Sequence, residues 1–219
     1  MSIAYGARQC RCTDTSHRTR LVAITGGPGA GKTAILELAA RALCSHVAIL
    51  PEAAGIVFGG GFPRRDSDIG RRTSQRAIYA IQRELEQLIL NDGTAAVALC
   101  DRGTIDGAAY WPGTPDSYWS ALGIDRHSEL IRYHAVVHLR TPPEDRGYDH
   151  SNALRVESAS EAGALDALIL SAWDGHPNRV VIESADDFME KAARALAAVQ
   201  AQLPPCCAAH PLPSGTPDP

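Results

Sequence analysis

Between residues 19 and 203, short apolar runs alternate with longer stretches of helical period, the pattern of a parallel sheet wrapped by crossover helices. The runs predict strands at Arg20–Thr25, Val47–Leu50, Ala95–Cys100, Ala135–Leu139 and Arg179–Ile182. Each is nearly continuous rather than alternating, as expected where both sheet faces are covered. The intervening periods predict helices at Lys32–Leu43, Ser74–Leu90, Ser158–Trp173 and Asp186–Gln202, with a broken helical stretch over Thr104–Tyr133. In the second helix Ile78, Ile81, Leu85, Leu88 and Ile89 fall on one face, with Gln82, Arg83, Glu84, Glu86 and Gln87 largely opposite. Residues 1–18 are polar without a usable period, and 204–219 are rich in proline, so both read as tails around one domain at 19–203.

Composition narrows the class. The 219 residues are 45% hydrophobic and 21% charged, which excludes a mainly disordered chain. A net charge of −4 gives no field for holding a polyanion, so nucleic acid is not an expected partner. No apolar run reaches the ~18–20 residues that cross a bilayer, and the first twenty residues lack a signal-peptide core; a cytoplasmic protein is expected. Six cysteines without a secretory signal read as reduced thiols. Cys10-x-Cys12 and Cys206-Cys207 could together ligate a metal, but neither has C-x2-C spacing, and the expectation is no metal there.

The strongest chemical signal follows the first strand: Gly26-Gly27-Pro28-Gly29-Ala30-Gly31-Lys32-Thr33, then a helix. This is G-x4-G-K-[ST] in its strand–loop–helix context, the phosphate-binding P-loop or Walker A motif. Glycines allow the backbone to approach phosphate so that successive N–H groups cradle it at a helix N-terminus. Lys32 is expected to reach the β- and γ-phosphates, and Thr33 to ligate Mg²⁺. Val97-Ala98-Leu99-Cys100-Asp101 has the form of the strand whose terminal carboxylate supports that Mg²⁺.

Nucleotide binding alone does not separate a kinase from a hydrolase or a switch. Glu52, just after the second strand, stands where ligands of open α/β sheets bind and could orient an acceptor hydroxyl; the plain alternative is a helix-start carboxylate after Pro51. Arg102 could clamp phosphate, and Arg140, Arg146 and Arg155 frame a segment, 141–157, that reads as a lid. Gly59-Gly60-Gly61 reads as a flexible loop, and Arg64, Arg65, Arg71, Arg72 and Arg76 make a basic region suited to an anionic acceptor or headgroup, or simply a solvated face. Tyr110-Trp111 and Tyr118-Trp119 offer stacking surface or core filling.

Gly26–Thr33, Pro51-Glu52-Ala53-Ala54, Gly61-Phe62-Pro63-Arg64, Gln75, Gln82, Cys100-Asp101-Arg102-Gly103-Thr104-Ile105-Asp106, Arg155-Val156-Glu157, Trp173 and His176-Pro177 together resemble the compact AAA-labelled P-loop domain family. That family includes the nucleotide-binding domain of the TRPL translocation defect protein and is similar to nicotinamide-riboside kinase domains. The resemblance implies a three-layer α/β/α P-loop kinase fold, with five parallel strands in the order 2-3-1-4-5. It further implies Glu52 as base, Asp101 with Arg102 beside the phosphates, and Arg155 as a lid arginine. No N-K-x-D element accompanies the loop, which favours ATP over GTP. The expected activity is transfer of the ATP γ-phosphate to a nucleoside-like hydroxyl, with Glu52 and Asp106 orienting the acceptor. The alternative is a nucleotide-gated module that engages a protein or phosphoinositide without phosphorylating a metabolite.

Overall fold

The computed structural model describes residues 2–10, 12, 16–142 and 159–208. Its sheet has six strands, β1 (Ala4–Tyr5), β2 (Arg20–Thr25), β3 (Val47–Leu50), β4 (Val97–Asp101), β5 (Tyr133–Leu139) and β6 (Arg179–Ile182), in the order β1-β3-β4-β2-β5-β6. Strands β2 to β6 run parallel and reproduce the 2-3-1-4-5 arrangement; β1 adds an antiparallel edge, Ala4 opposite Ile49 and Tyr5 opposite Ala48. The sheet is therefore mixed. The segment read as an N-terminal tail supplies that edge, because the pairing partner lies some forty residues away and leaves no local period.

Helices cover both faces: α1 (Lys32–Ala42), α2 (Ala53–Gly59), α3 (Asp68–Asp92), α4 (Gly107–Tyr110) after a 3-10 turn at Thr104–Asp106, α5 (Pro115–Leu122), α6 (Arg126–Leu130), α7 (Ala159–Ala172), α8 (Phe188–Gln200) and α9 (Pro205–Ala208). Alternate residues of each strand enter opposite cores. Val22 and Ile24 pack with Ile35, Ala39, Ala195 and Val199 of α1 and α8, whereas Leu21 and Ala23 share the other layer with Ile89, Ile105, Ile169 and Trp173. The aromatic pairs serve that second layer, where Trp111, Tyr118 and Trp119 are buried.

Two local expectations change. The three glycines end α2 rather than form a free loop: Gly59 is its last residue, and the Gly60 N–H bonds to Ile56 O at 2.9 Å. In α3 the buried positions are Ser74, Gln82, Glu86 and Ile89, while Leu88 is 51% exposed. Glu86 turns inward because its charge is matched there: it accepts from Arg132 Nη2, from Tyr133 Oη at 2.6 Å and from Gln82 Nε2 at 2.8 Å. Arg132 also binds Glu129 at 2.7 Å, which binds Arg83 at 3.0 Å, so a polar network is buried beside Ile89 and Leu85, the members of the expected stripe that pack on the core. None of the helices among the described residues is long and apolar enough to cross a membrane.

Candidate nucleotide-binding site

Strand register brings the sequence signals together. Ile24 of β2 lies opposite Asp101 of β4, and Leu50 of β3 opposite Cys100, so the loop after β2, Glu52 after β3 and Asp101 share the carboxyl edge of the sheet. Gly26 has φ 133°, and a Cβ there would stand 2.0 Å from Leu139 O, so only glycine allows this first turn. A Cβ on Gly27 would meet the Asp166 side chain at 2.7 Å; without one, the Gly27 N–H donates to Asp166 Oδ1 at 2.9 Å.

The loop is braced on every side. Lys32 Nζ donates to Gly26 O at 2.9 Å and to Gly27 O at 2.8 Å. Lys191 of α8 donates to Ala30 O at 2.9 Å, and Thr141 Oγ1 to Pro28 O at 3.1 Å. Asp166 is itself fixed by His138 Nε2 at 3.0 Å and by Arg140 Nε at 2.8 Å. Arg140, read as a lid cation, is thus the partner of the helix α7 carboxylate. Sequence reasoning missed Asp166 and His138; their only trace is a lone carboxylate in the apolar run of α7 and a lone histidine near the end of an apolar strand.

Glu52 caps the start of α2 by position, but its side chain makes no cap bond and instead accepts from Arg102 Nε at 2.7 Å. Arg102 adopts φ 73°, the only positive φ outside glycine among the described residues. This left-handed conformation costs energy and persists because contacts over-determine it. The Arg102 N–H bonds to Ile24 O at 3.1 Å, and its guanidinium reaches Gly26 O at 3.2 Å and Asp106 Oδ2 at 3.3 Å. Asp106, expected to orient an acceptor, is occupied by Thr25 Oγ1 at 2.6 Å, Trp173 Nε1 at 2.7 Å and Arg102. It is a structural anchor for Arg102.

Burial and neighbouring charge tune the groups. Burial lowers Lys32 to about 8, helped by Arg102 and opposed by Asp101, Glu52 and Asp106. Burial and the Glu52 charge raise Asp101 to about 6, opposed by Lys32 and Arg102. Burial acts to raise Glu52, but Arg102 and Lys32 outweigh it and leave the carboxyl below its ordinary range. Asp101 Oδ1 is buried and has no hydrogen-bond partner among the described residues, while exposed Thr33, at the first turn of α1, lines the same cleft. A buried carboxylate oxygen without a hydrogen-bond partner among the described residues, in a cleft also lined by Gly29–Thr33, suits a hard divalent cation, so these residues fit Mg²⁺.

One cleft of about 1050 Å³ runs along this edge. At one end it is bounded by Pro142, Leu165, Ser184 and Phe188, at its centre by Gly29–Thr33, and at the other end by Glu52, Arg64, Ser74, Gln75 and Gln82. Arg146 and Arg155, with the rest of the expected lid over 143–158, lie outside the described residues.

A mostly parallel sheet with a braced glycine loop at the mouth of its central strand, a basic residue in the loop and a carboxylate ending the adjacent strand defines a P-loop nucleotide-binding protein. The sequence model of the AAA-domain family matches residues 21–191, and the chain belongs to that family. Among solved structures it is similar to the NadR protein in complex with NR, at 16% identity and a TM-score of 0.62 over 85% of this chain. The match spans 52% of the NadR chain, so this chain covers about half the length of that relative. No curated protein sequence matches it.

Proposed function

We propose that the chain is an ATP-dependent phosphotransferase that moves the γ-phosphate to a small-molecule hydroxyl. The observation that carries this reading is the extent of the cleft: it continues past the phosphate loop to Glu52 and the polar face of α3, leaving room for a second substrate beside the nucleotide. The structural likeness to NadR, solved in complex with NR, supports an acceptor of nucleoside type.

In this reading the backbone N–H groups of Gly29–Thr33 and the Lys32 ammonium hold the β- and γ-phosphates. Thr33 and Asp101 hold Mg²⁺, which neutralises phosphate charge when bound. Arg102, fixed by Glu52 and Asp106, keeps its guanidinium beside Gly26 O, at the edge of the transferring group. Glu52 is 35% exposed at its side chain, so an acceptor hydroxyl can reach it. With its basicity lowered by Arg102, its part is chiefly to orient that hydroxyl, in keeping with a loose transition state in which positioning and electrostatics dominate. Arg64, Arg65 and Arg71 line the same cleft, so an acceptor of nucleoside type that also carries an anionic group suits that end.

The test is ATP turnover with Mg²⁺ by the purified chain against nucleosides, nicotinamide riboside and anionic hydroxyl compounds, with products read by mass. One compound gaining a phosphate while ADP forms supports the reading. ATP binding with no phosphorylated product across the panel moves the conclusion to a nucleotide-gated module that engages anionic lipid or protein.

A further inference from the structure

At the opposite edge of the sheet, remote from the phosphate loop, three distant parts of the chain converge where β3 begins. The Gly6 N–H bonds to Val47 O at 2.9 Å, the Arg8 N–H to Leu43 O at 3.1 Å and the Ser45 N–H to Arg8 O at 2.8 Å. This approach is close: a Cβ on Gly6 would lie 2.1 Å from Cys44 O. It delivers Cys10 to Cys44 and His46, and α9 brings Cys207 to the same point. One ligating atom from each of Cys10, Cys44, His46 and Cys207 lies within 4.8 Å of all the others.

We propose that Cys10, Cys44, His46 and Cys207 form a structural zinc site that ties residues 6–10 and α9 to the amino edge of the sheet. Zn–S bonds of about 2.3 Å and Zn–N bonds of about 2.0–2.1 Å at tetrahedral angles place sulfurs about 3.8 Å apart and sulfur about 3.6 Å from nitrogen. Cys10 Sγ stands 3.8 Å from Cys207 Sγ, and Cys207 Sγ 3.6 Å from His46 Nδ1. A disulfide needs about 2.05 Å, and none of the six cysteines is in a disulfide. These two separations are those of ligands sharing one zinc ion, and the other pairs of the set lie within 4.8 Å.

The surroundings suit a closed site. Cys44 and Cys207 are buried in the α1–α8 core, against which Cys10 and Cys206 pack. The Cys12 N–H donates to Cys10 Sγ at 3.5 Å. Three thiolates and one imidazole with no open position are the donor set of structural rather than catalytic zinc. Cys12, His17 and His46 form an outer trio, with His17 Nε2 3.2 Å from His46 Nδ1 and 4.0 Å from Cys12 Sγ. It shares His46 and supplies only three ligands. The four ligands of the main site are spread over 197 positions, which is why spacing along the chain conceals them.

The experiment measures metal content of the full chain purified without chelator, by elemental mass spectrometry, alongside thiolate–cobalt charge-transfer absorption after exchange with Co²⁺. About one zinc per chain is expected, with cobalt bands typical of tetrahedral thiolate ligation. Cys10→Ser and Cys207→Ser are expected to lose the metal, whereas Cys12→Ser and His17→Ala retain it. Because a variant can fail for lack of folding, the wild-type chain is also stripped by chelator. Its Tm is expected to fall by more than about 5 °C and to recover on adding Zn²⁺. Neither retained nor acquired metal, metal kept by both Cys10→Ser and Cys207→Ser, or a Cys10–Cys207 disulfide by mass in the non-reduced chain each overturns the assignment. So does metal lost only from the Cys12 and His17 variants, which places the ion in the outer trio.

Discussion

Lys32 and Lys191, the only two lysines of the chain, close on the same loop from its two sides. Lys32 Nζ donates to the carbonyls of Gly26 and Gly27, and Lys191 Nζ to those of Ala30, at 2.9 Å, and Arg140, at 2.6 Å. All other basic residues are arginine. A compact ammonium with three rotatable donors reaches two carbonyls at once from a single nitrogen. Lys191 is 5% exposed and burial lowers it to about 8, so the fold gives up solvation to hold it there. Lys191 is a positioning residue for the phosphate cradle.

Removing Lys191 therefore loosens the loop without touching nucleotide. Lys191→Met is expected to weaken ATP binding about tenfold, the loss of roughly one charge-assisted hydrogen bond's net worth, and to leave a folded protein. Lys191→Arg is not expected to restore affinity, because a longer, planar guanidinium does not reproduce the single nitrogen that bonds both Ala30 O and Arg140 O. Isothermal calorimetry checks both; unchanged affinity in Lys191→Met refutes the bracing role.

Glu52 and Arg102 separate binding from transfer. Glu52→Gln retains shape and one acceptor oxygen for Arg102 but removes the charge facing the acceptor. Turnover is expected to fall about 10²-fold or more, with ATP affinity within about twofold of wild type. Full turnover in Glu52→Gln leaves Glu52 only its role of holding Arg102 in its left-handed conformation. Steady-state rates beside a binding titration distinguish the two.

Much of this was legible in the sequence, and what was not shares one cause. The five parallel strands and the Gly26–Thr33, Glu52 and Asp101 positions carry local signals: apolar runs, glycine spacing and carboxylates at strand ends; the strand order followed only from the family resemblance. Helix α2 entered only as the alternative reading of Glu52, because seven residues from Ala53 to Gly59 hold too few turns for a period and end in glycine. On α3, Gln82 and Glu86 were assigned to water because periodicity assumes that charge faces it, whereas Glu86 is neutralised by Arg132 from forty-six positions away. The bracing by Asp166 and the conversion of Asp106 from acceptor ligand to Arg102 anchor likewise depend on contacts between distant elements. No local pattern records them.

The Glu86–Arg132 pair makes that last point measurable. Glu86 is fully buried, so deleting its partner leaves an uncompensated charge beside Tyr133 and Gln82. Arg132→Leu is expected to destabilise the chain by about 3–5 kcal/mol in urea unfolding. The double variant Glu86→Leu with Arg132→Leu is expected to recover a large part of that loss. A single variant within about 0.5 kcal/mol of wild type shows that the network is not holding α3 to the sheet.

Proton linkage tests the phosphate cradle itself. Lys32 sits near pKa 8, lowered by burial and by Arg102, so at pH 8 about half of the nucleotide-free protein lacks that proton. Phosphate beside Lys32 favours the ammonium, and its pKa rises on binding. ATP binding at pH 8 is therefore expected to take up as much as about half a proton, whereas Asp101, near 6, is already ionised and contributes none. In the nucleotide-free protein the same shift carries the opposite sign from a stabilising ion pair. Between pH 8 and 10.5 the unfolded chain, with Lys32 at its ordinary 10.5, binds the extra proton, so stability from this group rises with pH across that window. Calorimetry at pH 8 in two buffers of different ionisation enthalpy reads the uptake directly. Proton release, or no exchange at all, means that Lys32 does not meet the phosphates, and the assignment of the cleft's centre to nucleotide phosphate falls with it.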